Sequence, residues 1–419
     1  MRNLLFDGVK KAHSILEHIV VRTPLAPNIN LSTDFAAEIF LKREDLQIVR
    51  SYKIRGAYNK MNSLDAVQRA NGIVCASAGN HAQGVAYSCH LLNIRAKIYM
   101  PLTTPKQKIK QVELFGRGHI EIILWGNTFD DAYLEAIKDA GENNKVFIHP
   151  FDDPKVIAGQ GTIGLEVLDA FKGPIDYIFV PVGGGGLAAG LITVFSKLSP
   201  ATKIIGVEPS GAASMKASIE NGVNTSLEHI DRFVDGAAVQ RVGDLTFSIC
   251  REGLYAIVAV PEGKICSTII RLYNEEAMVV EPAGALSIAA LDFYREEIKG
   301  KRVVCIVSGS NSDISRTEEI KERSLFYEGL KHYFLVDLSQ KPGALKEFVN
   351  NVMGPHDDLS YCHFAKKSNP ENNTLLVGIE LKQKGRIVEI ENKLRAGNFK
   401  YIYINRRQEL YNHIIDHLD

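Results

Sequence analysis

Between about residues 70 and 310 the chain repeats one pattern, a short β-branched run followed by a stretch of helical spacing. The runs are GIVCASA, AKIYMP, HIEIILWG, KVFIHP, IDYIFVPV, KIIGVEP, LYAIVAVP and KRVVCIVSG. Strands this continuously apolar are buried on both faces, which requires parallel sheet with helices above and below. A single barrel would space its strands evenly. Here the intervals are uneven and the strongest glycine signals fall in mid-chain. Two doubly wound α/β lobes are therefore expected, with a ligand in the crevice at the strand carboxyl ends. Residues 1–320 would form this domain, its smaller lobe covering about 50–150.

The pattern changes near residue 315. RTEEIKERSLFYEGLKH reads as a charged helical connector, with a linker over 321–330. Beyond it, HYFLVDLS is a strand and KPGAL a turn opening a helix, with Leu345, Phe348, Val349 and Val352 on one face. Strand LSYCHFA, polar turn KKSNPENN and strand TLLVGIEL follow. A helix with Ile387, Ile390 and Leu394 on one side and the strand FKYIYIN complete the unit. The order β-α-β-β-α-β is the α+β ferredoxin-like arrangement, expected over 331–405, with a helical tail over 406–419.

Charge and cysteine usage narrow the partners. Lysine plus arginine number 49, as do aspartate plus glutamate. A chain without a net positive field is a poor ligand for nucleic acid or anionic membrane. The uncharged stretch from Tyr177 to Phe195 is as long as a membrane span. It holds Pro181 and four consecutive glycines, and reads instead as strand, loop and buried helix. No C-x-x-C pair occurs among the six cysteines, and Cys75 and Cys305 lie in apolar runs. Free buried thiols suggest a reducing, cytoplasmic setting. The apolar stretch of MRNLLFDGVKKAH is too short for a signal peptide.

Four segments could carry chemistry. Gly183-Gly184-Gly185-Gly186 joins strand IDYIFVPV to helix LAAGLITVFSKL. A loop without Cβ atoms turns its N–H groups inward at a helix N-terminus, which makes a phosphate cradle. No Lys-Ser/Thr follows, and G-x-G-x-x-G fails at Ala188 and Ala189. Glu208, ending the next strand, leaves a dinucleotide reading open. Lys53, in SYKIRGA, begins a helix beside Arg50 and Arg55, surroundings that lower a lysine pKa; by spacing alone it is a solvated side chain on a charged helix. Ser77-Ala78-Gly79-Asn80-His81 opens a helix after strand GIVCA and suits an anion, or serves as an ordinary N-cap. Ser308-Gly309-Ser310-Asn311 ends strand RVVCIV at a sheet edge where α/β sites lie. Of the remaining groups, Glu44-Asp45 reads as an exposed turn, and His413 and His417 as a solvated tail.

Taken in order, LKREDLQ at 41–47, SYKIRGA, SAGNHAQG, HPFDDP, AGQGT at 158–162, GGGGL, VEPSGA, VEPAGA at 280–285 and SGSN resemble the fold-type II (tryptophan synthase β-like) pyridoxal-phosphate enzymes. Within them the set is most similar to the threonine dehydratases (threonine ammonia-lyases). The C-terminal unit resembles their ACT-like regulatory domain, in single copy as in the short biosynthetic form. The resemblance implies a role for each segment. Lys53 would link to pyridoxal 5'-phosphate as an imine and move the Cα proton. Gly183, Gly184, Gly185, Gly186 and Leu187 would hold its phosphate, Asn80 its ring hydroxyl and Ser308 its ring nitrogen. Ser77 with the backbone of Gly79, Asn80 and His81 would hold the substrate carboxylate. No metal is implied, since the carboxylate that would accompany Glu208 in a racemase-type divalent site is Ser214. Racemisation is expected to be weak, because Ala78 stands where racemases carry a serine. The implied reaction is L-threonine to 2-oxobutanoate and ammonia in a homotetramer or homodimer, with isoleucine, or valine, as effector. A catabolic dehydratase, a β-replacement synthase and an amino-acid sensor with a vestigial lobe stand as alternatives.

Overall fold

The computed structural model describes residues 2–339, 341–365, 373–407 and 410. The chain divides into two compact units, Met1–Ile314 and Ser315–Asp419. All eight expected strands of the first unit are present, four in each of its two sheets. In the smaller sheet the order is Ile120–Leu124, Ala96–Met100, Ile73–Ala76, Val146–Phe147, all parallel. Every residue of Ile73–Ala76 is buried, as its uninterrupted apolar run demands.

The larger sheet gains two strands that the patterning does not announce. Its order is Leu25–Pro27, Glu38–Arg43, Arg302–Val307, Tyr177–Pro181, Lys203–Pro209, Ala256–Val260, parallel except for the first. Glu38–Arg43 escapes a hydropathy reading because it buries Lys42, only 1% exposed, beside Leu41. Around the sheet, Ile178, Val180, Leu191, Ile204, Val304 and Ile306 form the main core. The stretch from Tyr177 to Phe195 is strand, glycine loop and the start of helix Gly186–Leu198. Among the described residues no helix is long and apolar enough to cross a membrane. All six cysteines are free, with Cys362 alone exposed.

The glycines of AGQGT serve packing. Helix Pro154–Ala170 is capped by Asp153, which accepts from Lys155 N and Val156 N. It lies so close to helix Lys53–Asn62 that a Cβ on Gly159 would sit 2.4 Å from Arg55 O.

The second unit is an antiparallel sheet ordered Asp358–Ala365, Asn373–Glu380, Lys331–Leu338, Lys400–Tyr403. Helices Ala344–Val352 and Arg386–Ala396 pack Phe348, Val352, Ile390 and Leu394 onto it. This is the ferredoxin-like order. The expected linker over 321–330 differs in the structure. Helix Thr317–Tyr327 belongs to the second unit, where Glu322 pairs with Lys331 at 3.0 Å and accepts from the Tyr333 hydroxyl. Most of the polar turn at 366–373, the tail beyond residue 410, and His413 and His417 lie outside the described residues.

Candidate active site

Within the first unit, the strand ends bring most of the singled-out segments to one cavity of about 260 Å³. Its wall includes Lys53, Ser77, Ala78, Gly79, Asn80, His81, Gly184, Glu281 and Asn311. Ser77 follows strand Ile73–Ala76, Gly184 follows Tyr177–Pro181, and Ser308 follows Arg302–Val307, all carboxyl ends.

Lys53 is the first residue of helix Lys53–Asn62, and its Nζ donates to Pro150 O at 3.1 Å. Burial pulls its pKa down from 10.5 to about 8, against the charge of Glu281, which raises it. The cause thus differs from the one expected of the sequence. Desolvation lowers this lysine, while Arg55 turns its charge away onto Glu44 and Glu166. The neutral, nucleophilic form of the amine is therefore far more populated near neutral pH than in an exposed lysine.

The glycine loop carries unspent donors. Gly184, Gly185 and Gly186 are buried, yet the N–H groups of Gly183 to Leu187 donate to no protein acceptor among the described residues. Buried backbone donors require an acceptor, and five in a row at a helix N-terminus suit a phosphate. The loop cannot accept side chains. A Cβ on Gly184 would fall 2.3 Å from the Phe151 ring, and Gly185 has φ +91°.

The loop at 77–81 is similarly poised. Its helix Asn80–Leu92 starts without a side-chain cap, leaving Asn80 N and His81 N without protein acceptors among the described residues. Gly79 N instead donates to Ser77 Oγ at 3.2 Å, so the Ser77 hydroxyl keeps its own proton to give. His81 donates through Nε2 to Ile148 O at 2.8 Å, and burial beside Lys53 holds its pKa down to about 3. His81 and His149 are neutral, the latter lowered by burial to about 4. His149 Nδ1 accepts from Asp152 N at 2.8 Å and so shapes the turn bearing Pro150.

Ser308 is buried and is not among the residues that line the cavity. Its carbonyl accepts from Tyr52 N at 3.2 Å, and Ser51 bridges to Gly309. Two neighbours in the site went unsuspected. Glu281 and Asn311 both bond the Asn80 amide, at 2.6 and 2.5 Å, although VEPAGA and SGSN had been picked out as motifs. Glu44 and Asp45, expected to be exposed, are buried because Arg55 and Arg43 pair with them. Glu208 is occupied as a cap, accepting from Met215 N and Lys216 N.

Comparison with known proteins agrees with this arrangement. Residues 16–309 match the family described as pyridoxal-phosphate dependent enzyme, and residues 322–414 match the C-terminal regulatory domain of threonine dehydratase. The biosynthetic L-threonine dehydratase IlvA of Halalkalibacterium halodurans is 50% identical over 415 residues, covering 99% of this chain and 100% of that one. The Bacillus subtilis protein of the same name is 51% identical over 407 residues, 97% of this chain and 96% of that protein. Among solved structures, the processed form of threonine deaminase isoform 2 from Solanum lycopersicum superposes with TM-score 0.74 at 42% identity. It covers 77% of this chain and 88% of its own. Maize serine racemase follows the same fold with TM-score 0.71 at 29% identity, covering 77% and 98%. With a cavity whose free amine, unspent backbone donors and neutral polar groups fit a phosphorylated aldehyde, this chain belongs to the pyridoxal-phosphate dependent enzymes and, among them, to the biosynthetic threonine dehydratases.

Proposed function

We propose that the protein converts L-threonine to 2-oxobutanoate and ammonia, the committed step toward isoleucine, with Lys53 as its base. The observation that carries this is the buried Lys53 amine, its pKa lowered by desolvation, facing the same cavity as Asn80 and Gly184. Bound pyridoxal 5'-phosphate supplies an electron sink for the pair left when the Cα proton departs. The residues that would hold it are Lys53, the N–H groups of Gly183 to Leu187, Asn80 and Ser308.

Each side chain then has a task. Lys53 Nζ, steadied at Pro150 O, takes the Cα proton. Asn80 N, His81 N and the Ser77 hydroxyl bind the substrate carboxylate and fix the face presented to Lys53. Ser308 would offer the cofactor a neutral hydroxyl as partner, where a carboxylate would make the electron sink stronger. Ala78 lines the cavity with a methyl group that can give no proton, so racemisation is expected to be slow. The buried free thiols suit a reducing cytoplasm.

The deciding experiment is reconstitution with pyridoxal 5'-phosphate and assay of 2-oxobutanoate from threonine; a yellow protein that turns over no β-hydroxy amino acid would refute the proposal. Gly184→Ala places a methyl group on Phe151 and is expected to weaken cofactor affinity about tenfold or more in a reconstitution titration. Unchanged affinity would remove the loop from the site.

The second unit would bind isoleucine and lower activity, in a homotetramer or homodimer, as its match to a regulatory domain supports. Truncation after Ile314 is expected to abolish isoleucine inhibition and retain threonine turnover. Inhibition surviving in the truncated enzyme would place the effector site elsewhere.

A further inference from the structure

We infer that Glu281 is a positioning residue that fixes the orientation of the Asn80 amide, and so decides which end of that side chain meets the cofactor. The inference rests on the placement of Asn80 at the cofactor proposed above. Glu281 sits at the N-cap of helix Pro282–Ala289, yet its side chain makes no cap hydrogen bond. It turns instead into the cavity wall, 4% exposed, where Oε1 accepts from Asn80 Nδ2 at 2.6 Å.

The other end of the amide is held too. Asn311 Nδ2 donates to Val49 O at 3.0 Å and to Asn80 Oδ1 at 2.5 Å. A backbone carbonyl can only accept, so Val49 fixes the Asn311 amide. Asn311 then fixes Oδ1 of Asn80 as the acceptor, and Nδ2 is left to donate to Glu281. One N–H of Asn80 remains unspent. Reversing the Asn80 amide would set an oxygen against the carboxylate and a nitrogen against an N–H. The chain of polar groups is locked from both ends.

The backbone is cut to fit this carboxyl group. A Cβ on Gly309 would lie 2.5 Å from Glu281 Oε1, and Glu281 N donates to Gly309 O at 3.3 Å. No ion pair to it forms among the described residues, and the Asn80 bond, the more distant charges of Lys108 and Lys53 and the Asn311 backbone N–H offset only part of the cost of burying its charge. Burial and the charge of Asp235 push it up to about 7. A group so placed costs stability where it stands. That is the reverse of what a structural role would require. The bond also joins residues from the two lobes, since Asn80 opens a helix of the smaller and Glu281 one of the larger.

A double-variant cycle on the holoenzyme tests this, reading the visible absorption of the bound cofactor, its dissociation, Tm and threonine kinetics. Glu281→Leu is expected to shift the absorption band and lower kcat about tenfold or more, matching Asn80→Ala. In the Asn80→Ala background it should add less than about twofold. Glu281→Gln keeps an accepting oxygen, and should retain the native spectrum, stay within about threefold in kcat and show no loss of Tm. If the leucine variant does not fold, Glu281→Ala enters the same cycle. Native spectrum and turnover in Glu281→Leu, losses that add in the double variant, or a glutamine variant as impaired as leucine would each overturn the inference. A silent Asn80→Ala would instead remove Asn80 from the cofactor and take the inference with it.

Discussion

Replacing Lys53 by alanine is expected to lower kcat for threonine about 10⁴-fold and to yield a protein that no longer holds its yellow colour through gel filtration. The side chain makes one hydrogen bond, to Pro150 O, and faces the cavity, so its removal leaves the core intact. Tm of the apo-protein should therefore change little. Loss of activity with an unchanged Tm separates a chemical role from a structural one. The two jobs proposed for the amine, holding the cofactor and moving the Cα proton, both need it uncharged part of the time, and desolvation favours that condition. Free amines added to the medium could restore the proton transfer but not the attachment, so partial rescue by methylamine with the colour still lost would be consistent. Full activity in Lys53→Ala would end the assignment of the whole cavity.

Much of this was readable in the amino-acid order, for a physical reason. A strand covered on both faces is apolar nearly throughout, so runs such as GIVCASA, IDYIFVPV and KRVVCIVSG declare themselves and their parallel pairing together, while edge strand Ile120–Leu124 leaves Glu121 and Leu124 exposed. The glycine run is legible because it stands between an apolar strand and a helix, and the packing of Gly184 and Gly186 against Phe151 gives it a second reason. Three things stayed hidden. Glu38–Arg43 is a central strand whose buried Lys42 breaks the apolar run, because the partner that neutralises it lies at Glu166. Glu281 could not be given a task, since its meaning depends on an amide 201 positions away. The cause of the Lys53 shift is the third, since charges adjacent in sequence need not be adjacent in space. Arg50 and Arg55 looked like repelling neighbours. Arg55, in fact, is spent elsewhere.

That expenditure predicts the largest stability effect in the molecule. Arg55 is wholly buried, and its guanidinium reaches both Glu44 and Glu166 through two bonds each. Nε and Nη2 donate to Glu44 at 2.8 Å, and Nη1 and Nη2 to Glu166 at 2.6 and 2.9 Å. Lys42 Nζ completes the cluster at 2.5 Å from Glu166, and also donates to Thr23 O at 2.7 Å. Two cations balance two carboxylates with almost every proton and lone pair engaged. Burial pushes Glu44 up, and the charge and hydrogen bonds of Arg55 more than reverse it, so Glu44 stays ionised. Arg55→Met would leave two buried carboxylates sharing Lys42. The expected cost is about 3–5 kcal/mol, which in a unit of this length is a fall in Tm of roughly 5–8 °C by differential scanning calorimetry. Arg55→Lys should recover little, because a point charge cannot fork onto two carboxylates. The helix bearing Lys53 begins two residues before this anchor, so kcat measured well below the lowered Tm should fall as well. Arg55→Met with Glu44→Gln and Glu166→Gln, which removes the stranded charges, should regain much of the stability without regaining kcat. A Tm within about 2 °C of the parent in Arg55→Met would mean that the cluster is worth no more than an exposed pair, and that helix packing alone sets the position of the Lys53 amine.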